Sequence, residues 1–231
     1  MGLDADDLSY INDEIPVLQA AGSLPSVNVP TGETLFRGQD AKYPLAENFG
    51  APTLKDEMGR YNDPDGKKGI WYGAQGPESA LAEVFCRTRS EGPLRKRKGY
   101  IDRSELSKIN MAKVETTQPL TFLDIAKALP KLKMSHDMIT GRDYEVTQQV
   151  VKTLLKLPDQ PFDGIAYHST HYPNGDYCFA MWEREGSDKP VKTVSLELLS
   201  DFNHRRMNAS GVIEEVDAEE ILTEDLGFRV V

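Results

Sequence analysis

Short apolar runs, separated by polar stretches with glycine and proline, recur along the chain and predict several β-strands. The clearest runs are TLFRG at 34–38, GIWYGA at 69–74, VETTQPLTFLDI at 114–125, DGIAYHST at 163–170, YCFAMWE at 177–183, VKTVSLELL at 191–199 and FRVV at 228–231. Pro119 interrupts the third run, and the sixth is predicted to lead into a helix. A turn with Pro173 and Gly175 joins the fourth run to the fifth, which predicts a hairpin.

Fewer segments have a helical pattern. LSYINDEIPVLQAAG at 8–22 predicts one short helix, and another begins near Pro77, because proline suits the first helical position. DYEVTQQVVKTLLKL at 143–157 places its valines and leucines at helical spacing, and AEEILTEDLG at 218–227 is also helical. Residues 39–68 have weak periodicity and predict a long loop, which in a compact domain is usually functional or mobile.

These elements indicate a fold class. Because strands outnumber helices and the hairpin is antiparallel, we expect an α+β fold with a largely antiparallel or mixed sheet and flanking helices. No linker-like composition interrupts residues 31–231, so we expect a single domain there, preceded by an N-terminal leader at residues 1–30.

Composition and charge narrow the possible functions. The 231 residues carry a formal net charge of −10, with 39% hydrophobic and 28% charged residues, which is typical of a globular protein. Such a surface repels phosphate backbones, so we expect no direct nucleic-acid binding. No apolar stretch approaches the roughly 20 residues of a membrane helix, and the acidic N-terminus lacks the features of a signal peptide. We therefore expect a cytoplasmic location.

Two local features need separate interpretations. The basic run LRKRK at 94–98 is either a solvated loop or a patch that attracts an anionic ligand or an acidic partner. The two cysteines, Cys86 and Cys178, are too few and too isolated for a metal site or a disulfide framework. We expect two buried free thiols and no metal centre.

The helix after Pro77 contains a single polar residue, Glu83, within ALAEVFC. On a helical wheel Glu83 lies beside the apolar face, and the reverse face carries small residues, which suggests enclosure on more than one side. A buried carboxylate needs a partner, or its pKa rises. The alternative is a solvated glutamate that pairs with Arg87, four residues further on. The helix alone leaves both interpretations open.

Three more side chains with useful chemistry interrupt apolar strands. Arg37 has a planar guanidinium that suits a pyrophosphate or a carboxylate. Tyr72 offers a stacking face, or is simply a core aromatic. Ser169 stands at the end of a strand, where its hydroxyl could bind a ligand or, as serine often does, simply stabilise a turn.

Two histidines, His168 and His171, flank Ser169. In an extended strand they face opposite sides, unless the chain turns between them, and they are candidates for the mouth of a cleft. A hydrolase triad of Ser169, His171 and Asp176 lacks the nucleophile elbow that such enzymes use, so it is not favoured.

Together these segments resemble the RES domain family, which is named for its Arg, Glu and Ser motif residues. The matching blocks stand in the family's order: LFRG with Arg37, GRYNDPDGKKGIWYGAQGPESALAEVF with Tyr72 and Glu83, and DGIAYHST with Ser169. The resemblance covers about residues 33–185. Gly38 departs from the pattern, since some relatives have an aromatic residue there, and Tyr61 in the long loop is a candidate to supply that ring.

The resemblance implies a fold like that of ADP-ribosyltransferase toxins, with a cleft for NAD⁺. It implies NAD⁺ as a substrate that is cleaved by phosphorolysis or hydrolysis, with inorganic phosphate as a candidate co-substrate and no required cofactor. Glu83 would stabilise positive charge on the ribose, Arg37 would anchor the phosphates, Tyr72 would hold the nicotinamide ring and Ser169 would hydrogen-bond the ribose or carboxamide. The implied partner is a helix-turn-helix (Xre-type) antitoxin of a type II toxin–antitoxin pair.

Two other hypotheses stay open at this point. The chain is alternatively an ADP-ribosyltransferase that modifies a protein or a metabolic enzyme. The other hypothesis is a non-catalytic module whose cleft binds a nucleotide or a partner.

Overall fold

The computed structural model describes residues 5–52, 54–86, 99–141, 143–173, 175–184, 186, 188–207 and 210–231. Its strands are β1 Ser26–Val29, β2 Thr34–Asp40, β3 Ile70–Ala74, β4 Tyr100–Ile101, β5 Ile109–Thr116, β6 Leu120–Asp124, β7 Gly164–His168, β8 Tyr177–Trp182, β9 Val191–Leu198, β10 Asn203–Met207, β11 Ile213–Asp217 and β12 Arg229–Val230. Its α-helices are α1 Ala5–Ala20, α2 Pro77–Leu81, α3 Arg103–Leu106, α4 Ile125–Ala128, α5 His136–Thr140, α6 Glu145–Leu154 and α7 Ala218–Glu220. Lys55–Glu57 forms a 3₁₀ turn, and π-helical turns at Ala82–Cys86 and Ile221–Asp225 extend α2 and α7.

The centre of the fold is an eight-stranded sheet in the order β1-β6-β7-β8-β3-β2-β5-β9. All neighbouring strands in it are antiparallel except β6 and β7, which are parallel. A two-stranded antiparallel ribbon, β10–β11, and a short parallel pair, β12–β4, lie outside this sheet. The predicted α+β class, with a largely antiparallel, mixed sheet and flanking helices, is confirmed.

Alternation along β3 determines which side chain reaches the helical side of the sheet. Ile70, Tyr72 and Ala74 pack in the apolar cluster that also contains side chains of α1, α2 and α6. Trp71 lies in a second apolar cluster. Because successive residues of a strand face opposite sides, Tyr72 is directed toward the helices that cover the sheet.

The two central strands β2 and β3, both described in full, pair at a single position, Phe36 with Ala74. Their other edges are paired normally, β2 with β5 over seven positions and β3 with β8 over five. At the far end of β3, the loop residue Gly50 exchanges two backbone hydrogen bonds with Ile70, of 3.0 and 2.8 Å. The sheet is therefore split between β2 and β3, and a loop closes the far end of the split.

The described part of residues 1–30, which were predicted to be a leader, packs against the rest of the fold. In α1, Ile11 and Ile15 are buried, and Asn12 accepts hydrogen bonds from Gln149 and Thr153 of α6 at 2.6 and 2.7 Å. Strand β1 pairs with β6 at the edge of the large sheet. The sequence predicted the helix but not the strand, and the domain boundary at residue 30 stays a prediction.

One predicted element is wrong. The chain does not enter a helix after β9 but turns into β10, which pairs with β11 over five positions. Burial alternates along β10, and Arg206 bonds Glu214 across the ribbon at 2.9 Å. Arg206 also bonds Glu78 and Asp225. The strand was not predicted because its sequence, NHRRM, is polar and lacks the apolar alternation that indicates a strand.

The long loop between β2 and β3 is organised by a buried carboxylate. Asp63 is 5% exposed and accepts the backbone N–H groups of Asp65, Lys67 and Lys68 at 3.0, 2.9 and 3.1 Å. Three backbone donors are thereby paired with one carboxylate, which fixes the end of the loop before β3 begins.

We predict that Asp63→Ala lowers the free energy of unfolding by about 2–4 kcal/mol, because three backbone donors lose a charged acceptor. Urea denaturation followed by circular dichroism measures this change. Asp65→Ala is the matched control, since Asp65 is exposed and its ion pair with Lys152 should contribute less than about 1 kcal/mol. Equal effects of the two substitutions would contradict the role of Asp63.

Candidate functional site

A cavity of about 260 Å³ lies where β2 and β3 part. Residues next to the single pair line it: Arg37 and Gly38, which follow Phe36 on β2, and Tyr72 and Gly73, which precede Ala74 on β3. The rest of its wall comes from the long loop, α2 and its π-helical turn, α4, α5, the residue before α6, β7 and the segment after β7. Arg37, Tyr61, Tyr72 and Glu83, which are distant in sequence, therefore meet at one cavity, whereas Ser169 does not line it.

Glu83 reaches the cavity from the π-helical turn that extends α2. Such turns insert an extra residue into a helix and are frequent at functional sites. Ser79, Ala82 and Cys86, on the reverse of the helical wheel, are all buried. The predicted enclosure on more than one side is confirmed, and Glu83 itself is half-buried.

Tyr167 on β7 orients this carboxylate. Its hydroxyl donates a hydrogen bond of 3.3 Å to Oε2 of Glu83. Burial, reinforced by the charge of Glu83, raises the pKa of Tyr167 well above its usual value, so the phenol stays protonated and remains a donor. Sequence analysis missed Tyr167, although it directly precedes His168, which was a candidate for the mouth of the cleft. Arg87, the alternative partner, lies outside the described residues.

The hydroxyl of Tyr72 joins β3 to the long loop. It accepts the backbone N–H of Tyr61 at 3.1 Å and donates to Oδ1 of Asn62 at 2.9 Å. The same Asn62 oxygen accepts the backbone N–H of Gly59 at 2.9 Å. Because the hydroxyl is used for these bonds, the aromatic ring of Tyr72 is the part that serves as cavity wall.

Tyr61 supplies a second aromatic wall. Its ring packs against Tyr167 with 4.7 Å between the ring centroids, and burial raises its pKa far above the usual value. A larger side chain at position 38 would require Val84 to shift. A Cβ built on Gly38 would lie 2.6 Å from Cγ2 of Val84, the residue after Glu83.

The positively charged guanidinium of Arg37 is hydrogen-bonded to uncharged backbone carbonyl groups. Its Nη1 donates to the carbonyl oxygens of Ala46 and Asn48 at 3.3 and 3.0 Å, and its guanidinium lies 5.7 Å from the centre of the Trp71 ring. Burial lowers the pKa of Arg37 to about 10, so the group is still charged at neutral pH. Within the described part of the chain no carboxylate contacts it, which leaves its charge available to an anionic ligand.

Arg60 is a second cation at the cavity, and sequence analysis missed it. Its guanidinium is held by carbonyl oxygens at the end of α5, at 2.5 Å from Ile139 and 2.9 Å from Gly141, and lies 4.6 Å from the Tyr144 ring centre. Its position next to Tyr61 in the long loop was the available signal. These bonds fix the loop to the end of α5 and hold a positive charge at the cavity.

The segment after β7 contains the remaining predicted residues. Ser169 is completely buried, and its hydroxyl accepts the backbone N–H of His171 at 3.2 Å. The chain turns here, so His168 and His171 both line the cavity. The hydroxyl bonds a backbone group rather than the imidazole, and Asp176 lines a different cavity, which is not the geometry of a hydrolase triad.

Other predicted features have the following outcomes. Cys86 and Cys178 are buried free thiols, as predicted. Among the described residues, no cluster of three or more His, Cys, Asp or Glu side chains could hold a metal ion. The helices in the described ranges are all too short or too polar to cross a membrane. The basic run 94–98 lies outside the described residues.

Comparison with known proteins identifies the family. A model of the RES domain matches residues 34–201, and the chain belongs to the RES domain family. A search of curated proteins gives no match. The chain is similar to a chain in the crystal structure of the M. tuberculosis MbcT–MbcA toxin–antitoxin complex, with a TM-score of 0.55 and 14% sequence identity over 98% of this chain and 99% of that one. At this level of identity the likeness shows a shared fold.

We predict that pyrophosphate at fixed ionic strength stabilises the protein, because two arginines at the cavity lack acidic partners among the described residues. At ten times its dissociation constant, bound ligand should add about 1.4 kcal/mol, which raises Tm by roughly 3–6 °C in a chain of this size. Differential scanning fluorimetry measures the shift.

Arg37→Met should abolish most of this shift. Arg205→Met is the control, because Arg205 is an exposed arginine outside the cavity. A shift of the same size in both variants would mean that pyrophosphate binds elsewhere.

Proposed function

We propose that this chain is an NAD⁺-degrading enzyme that cleaves the bond between nicotinamide and ribose, by phosphorolysis or hydrolysis, and that it is the toxin of a toxin–antitoxin pair. The observation that carries the proposal is the meeting of Arg37, Tyr61, Tyr72 and Glu83 in one cavity. Membership of the RES domain family supports it.

The carboxylate is suited to the chemistry of this bond. As the bond from ribose C1 to the nicotinamide nitrogen breaks, its electron pair leaves with neutral nicotinamide, and the ribose gains oxocarbenium character. Glu83 stabilises that growing positive charge, and the hydrogen bond from Tyr167 fixes the carboxylate before the reaction begins. Nicotinamide is already a good leaving group, so no strong general acid is needed.

The walls of the cavity suit a dinucleotide that enters by its nicotinamide end. A volume of about 260 Å³ is slightly below the roughly 300–1,000 Å³ of sites that enclose a drug-sized ligand. It therefore fits the nicotinamide ribose half of NAD⁺, held by the aromatic rings of Tyr61 and Tyr72. Arg37 anchors the phosphates that lie beyond it.

The acceptor is water or inorganic phosphate, which attacks C1 from the face that nicotinamide leaves open. Water yields ADP-ribose and a proton, and hydrogen phosphate yields the 1-phosphate of ADP-ribose. The cations Arg37 and Arg60 favour the approach of phosphate. No further cofactor is required for either reaction, since NAD⁺ itself is the substrate.

A protein partner is part of the proposal. The structurally similar chain comes from a toxin–antitoxin complex, and we propose that an antitoxin, of the helix-turn-helix Xre type, covers this cavity in the cytoplasm. A neighbouring reading frame that encodes such a protein, and whose co-expression restores growth, is the expected observation.

We predict that Glu83→Gln lowers kcat for NAD⁺ loss by about 10²- to 10³-fold with little change in KM, because the carboxylate acts mainly on the transition state. Purified protein is incubated with NAD⁺, with and without phosphate, and the products are separated by chromatography. Glu78→Gln is the matched control, since Glu78 lies on the same helix but bonds Arg206 at 3.2 Å outside this cavity.

Three results of this assay would count against the proposal in different ways. Intact NAD⁺ under all conditions would overturn the enzymatic role and favour a binding module. Radiolabel from NAD⁺ on a macromolecule would favour an ADP-ribosyltransferase. Equal activity of the wild type and Glu83→Gln would remove Glu83 from the mechanism.

A further inference from the structure

The position of Ser169 does not suit direct contact with a substrate. Ser169 is completely buried and does not line the cavity. Its hydroxyl accepts the backbone N–H of His171 at 3.2 Å, and its carbonyl oxygen accepts that of Tyr172 at 3.3 Å. Both bonds close one turn directly after β7, and a serine hydroxyl is well suited to that role.

This turn changes the direction of two side chains. In an extended strand, residues three apart would face opposite sides. Here His168 and His171 both line the same cavity, because the chain reverses at Ser169. The buried thiol of Cys178 on β8 lies close to the backbone of Ser169, where the turn begins.

We propose that Ser169 is a positioning residue that acts through His171: its hydroxyl locks the turn that presents the imidazole to the cavity, and His171 contacts the acceptor. As the oxygen of water bonds to ribose C1, the neutral imidazole accepts the proton that this oxygen loses. Hydrogen phosphate attacks through an oxygen that carries no proton, so with this acceptor the imidazole orients the oxygen and takes up no proton from it. The contact with the acceptor rests on the proposed function, whereas the link between Ser169 and His171 does not.

The surroundings of His171 suit a proton acceptor. Burial lowers the pKa of His171, while the charge of Glu83 from the π-helical turn raises it and that of Arg60 from the long loop lowers it. Burial is the largest of these effects, so the imidazole is neutral at pH 7. It also lies in the cavity where Glu83 stabilises the ribose, on the segment that Ser169 folds.

The first test measures the protonation of His171 without any substrate. Proton NMR follows the histidine ε1 signals as a function of pH, and His171→Gln assigns the signal of His171. We expect the wild-type midpoint to lie below the usual value of about 6.5. In Ser169→Ala the turn opens and water reaches the ring, so the midpoint should move upward toward that value.

Two further variants separate this effect from general loss of packing. Ser79→Ala removes another buried hydroxyl, which donates to the Asp176 carbonyl at 3.4 Å outside this cavity, and it should leave the midpoint unchanged. Ser169→Thr retains a hydroxyl and should keep the wild-type midpoint. A midpoint that does not move in folded Ser169→Ala would overturn the proposal.

The second test is a double-mutant cycle on NAD⁺ loss. Ser169→Ala should lower kcat about 10- to 100-fold, and the pH of half-maximal activity should rise with the His171 midpoint. In a His171→Gln background the same substitution should change kcat by less than about two-fold, because the residue it acts through is gone. Additive losses would show that Ser169 acts directly and would overturn the proposal.

If the wild type degrades no NAD⁺, the proposed function fails, and the NMR result alone decides the role of Ser169.

Discussion

The site depends on an interruption of the sheet between its two central strands. β2 and β3 share a single residue pair, Phe36 with Ala74, and then separate. Each strand is held by its other neighbour, so the sheet stays intact while the gap between them stays open. Loop residue Gly50 closes the far end by pairing with Ile70. The cavity is thus bounded by backbone that the rest of the fold holds in place.

The long loop between β2 and β3 supplies the cavity with a cationic and an aromatic side chain, Arg60 and Tyr61. The Tyr72 hydroxyl fixes the loop to β3 through Tyr61 and Asn62, and Arg60 fixes it to the end of α5. One residue at each contact also forms the cavity wall, so positioning and binding use the same side chains. Arg37 remains charged within its buried surroundings because carbonyl groups hold it, an arrangement that favours ligand binding over stability.

Sequence reasoning succeeded where local pattern determines structure. The strands that contain Arg37 and Tyr72 and the enclosed helix around Glu83 follow from periodicity, and the family resemblance linked them across the chain. It could not detect contacts between distant segments. Arg60 and Tyr167 are ordinary in their own segments, and only the folded loop and β7 bring them to the cavity. The ribbon at β10 was missed for a different reason, since its strand has the polar sequence NHRRM and so shows no apolar alternation that would predict it.

The π-helical turn that presents Glu83 has an evolutionary consequence. Ala80 and Leu81, before the turn, are buried in the main core, and Phe85, within the turn, packs against Phe228 with 6.4 Å between ring centroids. A π-helical turn amounts to one residue inserted into an α-helix. A single inserted codon can thus redirect one side chain toward the cavity while Ala80 and Leu81, before the turn, keep their positions in the core. Lineages that differ by one residue in this helix can therefore share the fold but not the carboxylate.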